Sequence, residues 1–458
     1  MRERMHAPWA LLPSGWARDV TVTIGDDGLI ESVALASPVE GAEEAGGPLV
    51  PAMPNLHSHA FQRAVAGRTG HGGASGEDSF WTWRQAMYAF LERLDPESFE
   101  AIAAQAYVEM AKAGYGTVAE FHYVHHDPDG RPYADRAEMA RRVLAAARTA
   151  ALPLTLLPVY YAHGGFGAEP PSPAQRRFVM STDEYASLLD ALAPDARAQS
   201  AVLGVAPHSL RAVTPAELGR VLASAPPGSP VHLHAAEQTR EVEQCVAWSG
   251  RRPVEWLLEH QGVDARWCVV HATHMVEREV RGLADSGAVA GLAPTTEADL
   301  GDGTFPGVAF AAAGGRWGVG SDSNAIVDPF AELRQLEYSQ RLFWRRRNLM
   351  GHGGDAAIGA AMWLAAARAG AQACGRRTGA IEAGAHADLV VLDGDDPALA
   401  GHDGGTALDA AIFGPCRRPV RHAMLAGRWV VRDGRHRDED AVLDGYRRAI
   451  ARIAGGAK

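Results

Sequence analysis

Short apolar runs recur through the middle of the chain, most of them ending near a polar or ionisable residue and followed by a helical, often Ala-rich segment. Eight such runs cover 49–56, 117–122, 154–160, 202–207, 231–235, 267–271, 288–293 and 317–320. Apolar runs alternating with helices imply parallel βα units, and eight of them predict an α/β fold, a closed (β/α)8 TIM-type barrel. The alternative is an open doubly wound sheet, which would more often carry a GxGxxG turn, and no such turn is found. The two ends read differently. Residues 19–24 alternate apolar and polar, 25–28 are turn chemistry, and 29–33 resume extended structure. Residues 387–393 and 428–432 are strand-like, with Asp433-Gly434 as a turn. Two β-rich ends around a long middle predict a small β domain, a β-sandwich, built from 1–50 and 376–458, with the barrel over 51–375. The stretch 70–76 reads as a mobile surface loop after the first barrel strand. There are no internal repeats and no long linker.

Composition narrows the function classes. The chain has 458 residues and a net charge of −11, which argues against a nucleic-acid or anionic-membrane partner. No apolar run approaches the roughly 20 residues of a membrane span, and the opening apolar stretch at 7–13 is too short and proline-broken for a signal peptide. Cys245, Cys268, Cys374 and Cys416 form no CxxC pair, so a reducing, cytoplasmic setting is expected. Only two lysines occur, Lys112 and Lys458. A GxxxxGK phosphate loop is therefore absent, and Schiff-base or carbamate chemistry on lysine is nearly excluded.

In such a barrel the active site lies at the C-terminal ends of the strands. There the chain places His57-Ser-His59, His232-Leu-His234 with Glu237, His271, His208, and Ser321-Asp322-Ser323. Residues i and i+2 of a strand share a side, so His57 and His59 can close on one ion. Imidazole suits Zn²⁺ or Fe²⁺, and the Asp322 carboxylate would complete an N/O set with room for water. A lone HxH is more often a pair of surface or core histidines; His, Glu or Asp at five strand ends favours a metal site. By spacing alone either His232 or His234 could be the ligand. Glu237 falls where strand gives way to loop, as a general acid/base would, though a solvated loop glutamate would sit there equally well.

The motifs Pro54-Asn-Leu-His-Ser-His-Ala-Phe-Gln-Arg63, His234-x-x-Glu237, His271 and Gly320-Ser-Asp322 resemble the metal-dependent amidohydrolase superfamily. Within it, the chain resembles the formimidoylglutamate deiminases along almost its full length. The more discriminating blocks are 79–84, 118–126, 204–211, 236–241 and 294–300. The resemblance implies one divalent metal, Zn²⁺ before Fe²⁺, held by His57, His59, His234 and Asp322. It selects His234 over His232. It implies Glu237 as acid/base, His271 as the group that polarises the reacting centre, and Asp322 as a further proton acceptor. It also implies substrate contacts from Gln62, Arg84, Tyr123, His208 and Arg211, and a homodimer. The implied reaction is hydrolytic deimination of N-formimino-L-glutamate to N-formyl-L-glutamate and ammonia, a step of histidine degradation.

The residues support part of that set independently. A dianionic substrate needs cationic or multiply donating partners, which Arg211 supplies well. Arg84, in a Trp-flanked segment, could instead only stack on Trp81 and Trp83. Asn324 stands where many relatives would have histidine, which bears on the hydrogen bonding around Asp322. His125, His126, His163 and His274 read as supporting or surface residues. Two other readings stand beside the deiminase: an aminohydrolase of a purine, pyrimidine or triazine ring on the same metal site, and a zinc-containing scaffold without catalysis. The scaffold would usually have lost a ligand or Glu237.

Overall fold

Both ends of the chain enter one sheet. The computed structural model describes residues 3–36, 41–69, 79–351 and 357–455; the expected loop at 70–76 lies outside them. Strands β1 (Glu3–Leu12), β2 (Gly15–Ile24), β3 (Ile30–Leu35), β4 (Glu43–Glu44) and β5 (Leu49–Pro51) open the chain. The middle carries β6 (Met53–Ser58), β7 (Tyr115–His122), β8 (Leu154–Tyr160), β9 (Val202–Leu203), β10 (Ala206–Pro207), β11 (Val231–Ala235), β12 (Trp267–His271), β13 (Val289–Leu292) and β14 (Arg316–Val319). The end adds β15 (Leu389–Leu392), β16 (Val420–Leu425), β17 (Arg428–Arg432) and β18 (Arg435–His436).

The terminal strands form a nine-stranded sheet in the order β18-β17-β16-β15-β5-β1-β2-β3, with β4 beside β1. Alternation along its strands sends Ala10, Leu12, Leu49, Leu389 and Val391 into one apolar core and Leu11, Val50, Val390 and Leu392 into the larger core of the molecule. Both faces of these strands are therefore buried. The expected first barrel run, 49–56, is two strands rather than one. Leu49–Pro51 pairs antiparallel with β15, and after Ala52 the chain turns into β6, which pairs parallel with β7.

Every other expected run holds a parallel strand. They form two arcs, β6-β7-β8-β10 with β9 on β8, and β11-β12-β13-β14. Between the arcs there are single parallel bridges, Val205 to Val231, Ser209 to His234 and Ser58 to Asp322, rather than continuous ladders. Two features account for the interruptions. The fourth run breaks at Gly204, where a Cβ would lie 2.6 Å from Leu157 Cδ2 and 2.8 Å from the Pro230 carbonyl oxygen. At the other seam Asp322 has a left-handed φ of 43°, which a ladder cannot continue. Helices cover the arcs. Helix Ile358–Cys374 packs on β6, β13 and β14 and donates from Trp363 Nε1 to the Pro51 carbonyl at 2.9 Å.

Gly320, just beyond β14, fixes how closely β6 and β14 approach. A Cβ there would sit 2.6 Å from the His57 carbonyl oxygen and 2.7 Å from its nitrogen, both backbone atoms that cannot yield cheaply. Gly320→Ala is expected to cost about 1–3 kcal/mol of stability and to lower metal content, checked by thermal melting and elemental analysis. An unchanged melt with full metal content would contradict this reading of the seam.

Candidate metal centre

The end of β6 and the turn after β14 are locked together by reciprocal backbone bonds: His59 N–H to the Asp322 carbonyl at 2.9 Å, and Asp322 N–H to the His57 carbonyl at 3.0 Å. This register brings the Asp322 carboxylate to the two histidines of the HxH pair. His57 Nε2 lies 3.2 Å from His59 Nε2 and 3.1 Å from His234 Nε2, and Asp322 Oδ1 is 3.3 Å from His59 Nε2 and 3.6 Å from His57 Nε2. All four residues are buried. His59 donates from Nδ1 to the Phe121 carbonyl (2.9 Å), and His234 from Nδ1 to the His208 carbonyl (3.0 Å). Those bonds fix the tautomer and leave both Nε2 lone pairs bare, as a metal ligand requires. Burial, and after it the neighbouring imidazoles, keeps His57 and His234 well below the usual histidine range, and burial pushes His59 down to about 3. Three neutral nitrogens and a carboxylate around one point fit a divalent ion of the zinc type. His232 lies on the same strand face, two residues deeper, and gives Nε2 to the Ala373 carbonyl at 2.8 Å. It is spent on structure.

Glu237 sits at the lip of β11. The preceding Ala236 has φ 55°, and the buried Glu241 carboxylate accepts from the backbone N–H of both Ala236 and Glu237 at 3.1 Å, holding the turn. Glu237 Oε1 is 3.7 Å from His271 Nε2, and Glu237 Oε2 is 3.7 Å from Arg211 Nη2. Burial raises the Glu237 carboxyl above the ordinary range, against the pull of His271 and Arg211. His271 has φ 67° and directs Nδ1 to Glu297 Oε1 at 3.2 Å. Burial works against its charge, but Glu237, Glu297 and Asp322 outweigh it and lift His271 to about 10. Left-handed non-glycine residues at Ala236, His271, Ala272, Asp322 and Asn324 place backbone strain at the site itself.

The remaining expected residues line the same pocket: Gln62, Arg84, Tyr123, His208 and Arg211, with Phe80, Trp83, Tyr88, Tyr161 and Phe178. Gln62 donates from Nε2 to the Tyr123 hydroxyl at 2.8 Å. Arg211 is 8% exposed, and its Nε and Nη1 are buried with no partner, which leaves two donors for an anion. Arg84 does both things considered for it: it lies 4.7 Å over the Trp81 ring and lines the pocket. Asn324 is explained by its surroundings. Its Nδ2 reaches Ser58 Oγ, the His59 carbonyl and the Asp322 carbonyl at 3.0–3.1 Å, and its Oδ1 accepts from Ser321. His125, His126 and His274 are spent on backbone carbonyls, and His163 on Glu217. Glu241 and Glu297 were not singled out in the sequence, although both lie in blocks quoted for the resemblance. Nothing in their spacing names a partner.

Residues 49–430 match the amidohydrolase family, and residues 3–47 match the family described as formimidoylglutamate deiminase HutF, N-terminal domain. The chain is 52% identical over 436 residues to a formimidoylglutamate deiminase of Pseudomonas aeruginosa, covering 95% of this chain and 96% of that protein. An 8-oxoguanine deaminase of the same organism is 27% identical over 420 residues, 89% and 88% of the two chains. Among solved structures, an amidohydrolase from Brucella melitensis superposes with a TM-score of 0.94 at 46% identity, over 99% of this chain and 100% of that one. An adenosine deaminase from Xanthomonas campestris with bound zinc superposes at 0.81 with 22% identity, over 99% and 98%. That last likeness speaks to the fold alone.

Burial pushes Asp322 up to about 7, so of the four candidate ligands it is the one to take a proton on mild acidification, while the imidazoles are already neutral. Between pH 7 and about 5 the apparent metal affinity is expected to fall about tenfold per pH unit, one proton's worth. A metal-buffer titration reads the slope, and a slope of three or more protons would contradict it. Asn324→Ala is expected to weaken metal binding about 10–100-fold by freeing the carbonyls around the ligands; undiminished affinity would show that the amide network does not orient them.

Proposed function

The chain belongs to the amidohydrolase family, and on that premise we propose that it hydrolyses N-formimino-L-glutamate to N-formyl-L-glutamate and ammonia. The observation that carries this reading is the buried Arg211 guanidinium with two unpaired donors beside the metal centre. Arg84, Gln62, Tyr123 and His208 extend a surface suited to two carboxylates. On the metal side of the pocket, with Glu237 3.7 Å from Arg211, Glu237 and Asp322 offer negative charge to a cationic formimino group. The 52% identical Pseudomonas relative bears the same activity in its name. The reading includes His57, His59, His234 and Asp322 as ligands of one zinc ion, eight parallel strands closed into a barrel over 51–375, and a β domain from 1–50 and 376–458. It also includes a cytoplasmic homodimer. Four unbridged cysteines support the compartment, and the exposed Leu342, Phe343 and Trp344 offer apolar surface for a second copy. No helix among the described residues is long and apolar enough to cross a membrane.

His57, His59, His234 and Asp322 would hold a zinc ion, which when bound would supply the Lewis acidity that lowers the pKa of a water toward about 7. Glu237, held by Glu241 and facing His271, is placed to take the proton of the attacking water as its oxygen adds to the formimino carbon. Glu237 then hands the proton to the terminal nitrogen. The bond from carbon to that nitrogen breaks and ammonia leaves as Asp322 takes the remaining hydroxyl proton, so that the carbon keeps a carbonyl oxygen. His271, its Nδ1 fixed on Glu297, presents Nε2 to the reacting group. Arg211 and its neighbours hold the carboxylates so that the carbon meets the water.

The aromatic lining, Phe80, Trp83, Tyr88, Tyr161 and Phe178, is what favours a ring aminohydrolase as the second reading. Ammonia release from N-formimino-L-glutamate against guanine and adenosine derivatives, with and without chelator, separates the two. The account expects chelator-sensitive release from the formimino substrate only, and release from a purine alone would overturn it. Glu237→Gln is expected to keep its metal and lose at least about 100-fold in kcat, acid–base groups being worth about 10²–10⁴. Arg211→Met is expected to raise KM for the formimino substrate by more than about tenfold, a lost charge-assisted hydrogen bond being worth about 1.5–3 kcal/mol; an unchanged KM would remove it from substrate recognition.

A further inference from the structure

Behind the acid/base pair lies a second group of ligand-type atoms. Glu237, His271 and Asp302 each offer one, all within 4.8 Å of one another, and all three residues are buried. Asp302 has no part in the reaction as described. It is 4% exposed, receives the Gln238 amide on Oδ1, and leaves Oδ2 buried without a partner. A buried carboxylate oxygen with no donor is costly until a proton or a cation meets it. The His271 ring is oriented for ligation, an incoming ion displacing the Nε2 proton that the surrounding carboxylates favour. With its Nδ1–H given to Glu297 at 3.2 Å, its Nε2 turns to Glu237 at 3.7 Å and to Asp322 Oδ2 at 3.8 Å. Asp322 divides its oxygens between the two groups, Oδ1 toward His57 and His59 and Oδ2 toward His271.

From this geometry we propose that Glu237, His271 and Asp302 form a second divalent-cation site, bridged to the first by Asp322, whose occupation switches the enzyme off. One imidazole with carboxylates is a donor set that zinc accepts. Four carboxylates, Glu237, Glu297, Asp302 and Asp322, stand around a single imidazole. A second metal ion, taken up when metal is in excess, relieves that crowding. Occupation ties up both the acid/base carboxylate and His271, so the second ion inhibits and competes with the substrate's cationic end.

The test starts from protein holding one zinc per chain and adds zinc chloride, counting bound metal by elemental analysis and following ammonia release in parallel. The wild type is expected to take up a second equivalent while activity falls at least tenfold. Asp302→Asn, which still accepts from Gln238, is expected to keep the first zinc and its activity. It should need at least about tenfold more zinc for the second equivalent and for inhibition, since loss of even an outer partner costs about 10–100-fold. Equal uptake and inhibition in both proteins overturns the proposal, as does a wild type that stops at one equivalent and stays active. Should Asp302→Asn fail to fold, zinc anomalous density in wild-type crystals soaked in excess zinc decides. Density about 2.0–2.2 Å from the three side chains supports the site, and its absence overturns it. Metal counts need no substrate, so a second site lost in Asp302→Asn stands even where the formimino-glutamate reading fails.

Discussion

The His57 Nε2 lies 3.1–3.2 Å from the Nε2 atoms of His59 and His234 at the buried floor of the pocket, and at least two of the three nitrogens carry no proton because their other ring nitrogens donate to backbone carbonyls. Bare lone pairs at that separation repel, and burial forbids the simple remedy of protonation. A cation between them resolves the conflict. Much else near the site serves that convergence: the reciprocal bonds between β6 and Asp322, the bare Cα of Gly320, the Asn324 amide and the left-handed turns at the strand ends. The geometry is held by backbone and neutral polar groups rather than by counter-charges, which leaves the carboxylates free for the ion and the substrate.

Around that centre the charges are arranged in order. Neutral imidazoles surround the candidate metal position. Glu237 and Asp322, both raised by burial, stand where the proposed reaction would move protons. Arg211 and Arg84 are at the wall, where carboxylates of a substrate would end. A low-dielectric pocket makes each of these interactions stronger and each unpaired group costlier, so the unmet donors of Arg211 and the unmet oxygen of Asp302 are places where a partner is owed.

Much of this was legible in the sequence because it depends on periodicity. Alternating strands and helices located the eight parallel runs, and i, i+2 spacing put His57 and His59 on one side. Spacing could not separate His232 from His234, since depth along the strand decides which imidazole meets His57 and which meets the Ala373 carbonyl. It could not see that the run at 49–56 serves two sheets, because an apolar stretch does not say which partner takes each half. Glu241, Glu297 and Asp302 were hidden for a related reason. Their meaning lies in partners set by the fold: the backbone turn at 236–237, the His271 ring, and a cluster behind it. Asn324, a departure by sequence, is the amide that ties the turn after β14 to the end of β6.

The most direct test of the central claim is zinc K-edge X-ray absorption on protein loaded with one equivalent of zinc. The account predicts a first shell of nitrogen and oxygen at about 2.0–2.1 Å with the outer scattering of three imidazole rings. A shell without multiple imidazoles, or a chain that retains no ion at all, would contradict it.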